Sequence, residues 1–161
     1  MRLSMTAPSA SDPVLGIDPG TRKCGYALVA EVGAPLELGI VATVEFGAAL
    51  RALGERFAIR AVALGGGTHR AEIEALVAGL GVPVYIVDER ATTLLARRRY
   101  FEANPPRGWR RLVPRGMLLP PRPIDDFAAL LIAERLLAQE PIFQGNFGPS
   151  SEPNASTRGK S

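Results

Sequence analysis

Apolar residues fall first into short runs and later into helical spacings. Val14 to Asp18 is a short apolar run ending in Asp-Pro-Gly, which predicts a strand entering a tight turn. Apolar stretches at Gly25 to Ala30 and Leu36 to Val44 predict two more strands. The connections are short, so these three should pair as an antiparallel meander. Phe46, Leu50, Leu53 and Phe57 recur at helical spacing and predict a helix over 46–60. Ala61 to Leu64 has the pattern of a buried strand, cut off by Gly65-Gly66-Gly67. Thr68 is placed to cap a second helix, with Glu72 in its first turns and Ile73, Leu76, Val77 and Leu80 as its apolar face. Val82 to Val87 predicts a fifth strand, and Thr92 or Thr93 opens a helix to about Glu102.

The next stretch breaks the pattern. Asn104 to Pro123 holds six prolines and five arginines. Prolines at that density support neither a regular helix nor an interior strand, so a mobile basic loop is expected. Ile124 to Ala138 is an apolar helix, buried on most sides, with Pro141 expected to end it. Residues 1–13 are Ser-, Ala- and Pro-rich, and 141–161 are rich in Gly, Ser, Pro and Asn. Both are expected to be disordered tails around one domain over 14–140. The predicted class is α/β: three antiparallel strands, then two parallel additions, in a five-stranded mixed sheet with helices on both faces.

Composition narrows the function. The chain has 161 residues, 47% of them hydrophobic and 22% charged, enough for a real core. No apolar run reaches membrane-spanning length and the N-terminus lacks a signal-peptide core, so a cytoplasmic protein with no membrane partner is expected. One cysteine, Cys24, excludes an internal disulfide and a Cys-based zinc site. The single His69 argues against histidine-rich metal centres.

Net charge is only +3, but nine of the arginines lie between Arg90 and Arg122, beside a single acid, Glu102. The rest of the chain is net acidic. Such a block suggests a polyanion partner, against the blander reading of a solvated helix and loop. Candidate nucleic-acid contacts are Arg90, Arg97, Arg98, Arg107, Arg110, Arg111 and Arg115, with Arg22 beside the first aspartate. Trp109, among arginines, is placed either to stack on a base or to anchor the loop.

Acids at the ends of core elements are the candidates for chemistry, because strands bring distant residues together there. Three places qualify: Asp18 after the first strand, Asp88-Glu89 after the fifth, and Asp125-Asp126 at the start of the last helix. A turn or cap role would explain each singly. Together they suit divalent-metal phosphodiester hydrolysis, in which oxygen ligands converge on Mg2+ or Mn2+. The pattern does not choose between Asp88 and Glu89, or between Asp125 and Asp126.

Gly16-Ile17-Asp18-Pro19-Gly20-Thr21-Arg22-Lys23-Cys24-Gly25-Tyr26-Ala27 resembles the opening of the YqgF/RuvX-type nucleases and of the related RuvC-type junction resolvases, both of RNase H-like fold. Asp88-Glu89-Arg90-Ala91-Thr92-Thr93 is similar to the Asp-Glu-Arg signature of the YqgF/RuvX group. Ile124-Asp125-Asp126-Phe127-Ala128-Ala129 resembles its closing helix. The resemblance implies an RNase H-like nuclease maturing the 5′ end of pre-16S ribosomal RNA in ribosome biogenesis. It implies Asp18, Glu89 and Asp125 as catalytic, metal-binding carboxylates, with Asp126 as an accessory ligand or cap. Pro19, the Gly65-Gly66-Gly67 run and the proline-rich loop depart from that group.

Three alternatives remain. A junction resolvase acting on structured or branched DNA is the nearest, although 60–67 carries no acid and Ala128 stands three residues after Asp125. An actin-like ATPase would share the Asp-x-Gly turn but pairs two such domains. A non-catalytic RNA-binding protein is the third. The pattern does not separate a monomer from a homodimer.

Overall fold

A computed structural model describes residues 9–88, 92–114 and 117–143. Strands β1 (Val14–Asp18), β2 (Lys23–Glu31) and β3 (Ala34–Ala42) form the expected meander. Helix α1 (Phe46–Arg56), β4 (Ala61–Gly65), α2 (Arg70–Val77), β5 (Val84–Val87), α3 (Thr92–Ala103) and α4 (Asp125–Phe143) follow. The sheet order is β3-β2-β1-β4-β5. β1 pairs antiparallel with β2 and parallel with β4, and β4 pairs parallel with β5. The mixed five-stranded sheet is therefore as the pattern predicts.

Side-chain alternation divides the core into two layers. Leu15, Ile17, Leu28, Val62 and Leu64 pack with Phe46, Leu50 and Leu53 of α1 and Ile73 and Val77 of α2. Val14, Ala27, Val29, Ala61 and Ala63 face the other way, onto Ala96 and Tyr100 of α3 and Phe127, Ala129, Ile132 and Ala133 of α4. The strand residues under α4 are small for a reason. A Cβ on Gly16 would collide with the Ala129 carbonyl and come within 2.8 Å of the Ala133 Cβ. A Cβ on Gly25 would collide with the carbonyl of Asp125. Helix α4 thus lies backbone-close on β1 and β2.

Several boundaries differ from expectation. β3 gives way at Thr43 to a 3-10 turn over Thr43–Glu45. Helix α1 stops at Arg56 because Phe57 turns extended (φ −132°, ψ 137°), which lets Ile59 enter the core. The cap of α2 is His69, not Thr68, and its side chain makes no cap hydrogen bond among the described residues. Leu76, expected on the buried face of α2, is 43% exposed. β5 begins at Val84 because Pro83, lacking an N–H, joins the sheet only through its carbonyl, which accepts from Val62 N–H at 2.9 Å.

Helix α4 does not end before Pro141; it continues to Phe143. A proline in the last turn forfeits one intrahelical bond close to where carbonyls are already unpartnered, so the break is avoidable there. The segment expected to be a mobile loop carries a 3-10 turn, Gly108–Leu112, and is pinned by Leu118, 3% exposed within the α3–α4 core layer. Residues 1–8 and 144–161, most of the expected tails, lie outside the described residues.

The glycine seat predicts a graded outcome. Gly16→Ala and Gly25→Ala should each cost about 2 kcal/mol or more, because backbone rather than a movable side-chain end stands in the way. Gly66→Ala, with open space around it, should be nearly neutral. Thermal denaturation of the three variants checks this; equal stability of all three would remove the seat.

Candidate metal-carboxylate site

Asp18 ends β1 and is half-buried. Val14, Gly16 and Asp18 alternate onto one face, the face that carries α4. In β2 the same face holds Val29, Ala27 and Gly25, and Gly25 is the register partner of Asp18. Asp125, the first residue of α4, rests on Gly25. The fold therefore stations Asp125 beside Asp18, although more than a hundred residues separate them in sequence.

The turn after Asp18 is held from two sides. Pro19 is buried and its carbonyl lies against Gly67, where a Cβ would not fit. The Gly20 carbonyl accepts the Thr43 hydroxyl at 2.8 Å, and Thr43 N–H donates to the Arg22 carbonyl at 3.0 Å. Pro19 and the glycine run, both departures from the YqgF/RuvX pattern, are thus one packing solution. Together they fix the direction in which Asp18 leaves the sheet.

Lys23 is a functional candidate that sequence reasoning missed. Its Nζ lies 3.7 Å from Asp125 Oδ2. The signal was available: Lys23 stands two residues before Gly25 and so shares its face.

Asp126 is differently engaged. It is 5% exposed, and Arg122 donates to both of its carboxylate oxygens, Nη1 to Oδ1 at 3.1 Å and Nη2 to Oδ2 at 3.0 Å. The Arg122 guanidinium also lies 5.3 Å from the Tyr100 ring centre and 5.7 Å from that of Phe127. The Asp126 hydrogen bond holds the Arg122 pKa above the usual guanidinium value. Asp126 fastens the segment before α4 to the helix itself; it was anticipated as an accessory ligand or cap.

Asp88 is exposed at the end of β5, and its carbonyl accepts a hydrogen bond from Arg135, about three turns along α4 from Asp125. Glu89, Arg90 and Arg115 lie outside the described residues. Among the described residues no three His, Cys, Asp or Glu side chains form a metal-binding group. Asp18 and Asp125 nonetheless fit a hard divalent ion in chemistry, since both offer carboxylate oxygens. Asp125 already faces a cation in Lys23.

The basic block is less available than its charge suggests. Arg98 pairs with Glu102 at 3.2 Å, and Arg110 donates to the Leu119 carbonyl at 2.7 Å. Arg99 pairs at 3.0 Å with Glu134, an acid only 9% exposed that also accepts Gly33 N–H at 2.8 Å. Arg97 is half-buried, while Arg22, Arg107 and Arg111 are exposed. Trp109 is 74% exposed, so it is not the loop's anchor; Leu118 is.

No protein-family model matches the chain, and no curated protein matches it significantly. Solved structures do. The chain is similar to Thermus thermophilus RuvC in complex with Holliday junction substrate, at TM-score 0.55 and 23% identity, over 81% of this chain and 96% of that one. A second Thermus thermophilus RuvC structure matches at TM-score 0.53 and 19% identity, over the same shares. At these identities the likeness is one of fold. The protein has the RNase H-like fold. Among the described residues no helix is long and apolar enough to cross a membrane.

Arg122→Ala should destabilise the protein by about 2 kcal/mol, because it strands a buried carboxylate; the figure is reduced for the half-exposed arginine. Arg122→Lys should recover only part, since an ammonium cannot reproduce the two-pronged contact or the ring packing. Chemical denaturation of both variants measures this, and full recovery by lysine would reduce the interaction to simple charge.

Proposed function

We propose that the protein is a divalent-metal-dependent nuclease that hydrolyses phosphodiester bonds. The observation that carries this reading is the placement of Asp125 on Gly25, the strand partner of Asp18. Two acidic residues from opposite ends of the domain are built into one corner of an RNase H-like sheet. In the proposal Asp18, Glu89 and Asp125 hold Mg2+ or Mn2+. The bound ion would supply Lewis-acid polarisation of the phosphate and offset the charge developing on its oxygens. The clamped turn fixes where the chain leaves Asp18, and the helix seat fixes the backbone of Asp125 over β2. Lys23 balances Asp125 when no other cation is near, and Arg22, exposed four residues after Asp18, would meet a substrate phosphate.

For the substrate, the three sequence motifs support RNA, with 5′-end maturation of pre-16S ribosomal RNA as the specific reading. The structural neighbour in complex with a Holliday junction substrate supports branched DNA as a second reading. The acid-free end of β4, Leu64-Gly65-Gly66-Gly67, bears on this choice. It leaves the second carboxylate to the segment after β5, as in the YqgF/RuvX pattern.

A cleavage assay on single-stranded RNA, a structured ribosomal precursor, duplex DNA and a four-way DNA junction separates these readings. RNA should be cut with Mg2+ or Mn2+ and left intact with chelator. Asp18→Asn and Asp125→Asn should each slow cleavage more than about 100-fold, near 3 kcal/mol of barrier, while binding persists. Symmetric cutting of the junction with RNA intact would favour the second reading. Cleavage of neither, with binding retained, would leave a non-catalytic binding protein.

A further inference from the structure

We propose that the segment between α3 and α4 is a base-stacking element, in which Trp109, with Leu112, Met117 and Leu119, engages unpaired bases of a nucleic acid. The proposal rests on the nuclease reading for its choice of ligand. Trp109 is 74% exposed, Leu112 87%, Met117 75% and Leu119 65%. Single exposed apolar residues are ordinary on a protein surface, but four within residues 109–119 concentrate apolar surface in one short segment.

The segment that carries these side chains is anchored at several points. Gly108, at φ 62°, opens the 3-10 turn that carries Trp109 and Leu112. Arg110 crosses the segment to the Leu119 carbonyl, joining its two sides. Leu118, between exposed Met117 and Leu119, is buried among α3 and α4. The base of the segment is fixed by Arg122, gripped by Asp126 and packed near Tyr100 and Phe127. A rigid aromatic platform loses little entropy when a base stacks on it.

Charge selects the partner. No acid occurs between Glu102 and Asp125, and Arg107 and Arg111 are exposed beside Trp109. That surface complements phosphates better than a second copy of itself, which would bring like charges together. Among the described residues Arg98, Arg99, Arg110 and Arg122 are tied to protein groups, so stacking is expected to carry much of the binding. Stacking requires open bases, so the element favours single strands, loops or branch points over blunt duplex.

Trp109 is the chain's only tryptophan, so its fluorescence reports on this contact alone. In chelator, titration with a single-stranded oligonucleotide should quench the emission, and blunt duplex should do so much less. Trp109→Ala should weaken single-strand binding, measured by anisotropy, about tenfold without changing its salt slope; Trp109→Phe should restore part of it. Arg107→Ala with Arg111→Ala should instead flatten the slope. Binding without quenching, or a dimer in sedimentation that Trp109→Ala dissolves, would overturn the proposal. Metal-dependent cleavage without quenching would sink the stacking element and spare the nuclease. Quenching without cleavage would do the reverse, and no binding to any strand would remove both.

Discussion

Backbone-to-backbone packing of α4 on Gly16 and Gly25 is the constraint on which the rest depends. It brings a long apolar helix closer to the sheet than side chains would ordinarily permit. Closeness builds the core layer on that face, with Ala27, Ala63, Ala129 and Ala133 filling the space between. It also sets the height of the helix's first turn above the strands, and therefore where Asp125 stands relative to Asp18. The same contact thus contributes to stability and to the position of Asp125.

Around that contact, charge is divided by role. Asp126 and Glu134 are buried and each is answered by an arginine, Arg122 and Arg99, because a buried carboxylate without a partner is costly. Asp125, one residue before Asp126, is more exposed and has the looser Lys23 contact at 3.7 Å. Adjacent aspartates are thus engaged differently: Asp126 holds the chain, and Asp125 is the one proposed to meet a ligand. The arginine-rich segment divides similarly: Arg122 fastens it to α4 and Arg110 to its own backbone, while Arg107, Arg111 and Trp109 are exposed.

Much of this was legible in sequence. The mixed five-stranded sheet and the succession of strands and helices along the chain followed from short apolar runs, tight connections and the later alternation of strand and helix. Asp18 and Asp125 were visible as acids at element ends. What the pattern could not show was any property requiring knowledge of a neighbour. Gly16 and Gly25 are ordinary in a strand until a helix is laid on them. Asp125 and Asp126 are indistinguishable until Arg122 is seen to take one of them. Pro19 and the Gly65-Gly66-Gly67 run looked like separate anomalies because their contact joins two loops. Trp109 was undecided between anchor and platform until Leu118 proved to be the buried residue. The α4 terminus differs from expectation for a local reason: proline breaks a helix interior but is tolerated in a last turn, where carbonyls are already unpartnered.

The central claim is that Asp18 and Asp125 act on one cation. Calorimetric Mn2+ binding to the wild type, Asp18→Asn, Asp125→Asn and the double variant tests it most directly. Groups sharing one ion should be strongly non-additive, with either substitution removing most of the affinity and the second adding little. Independent, additive losses, or Mn2+ affinity unchanged in either single variant, would contradict the account.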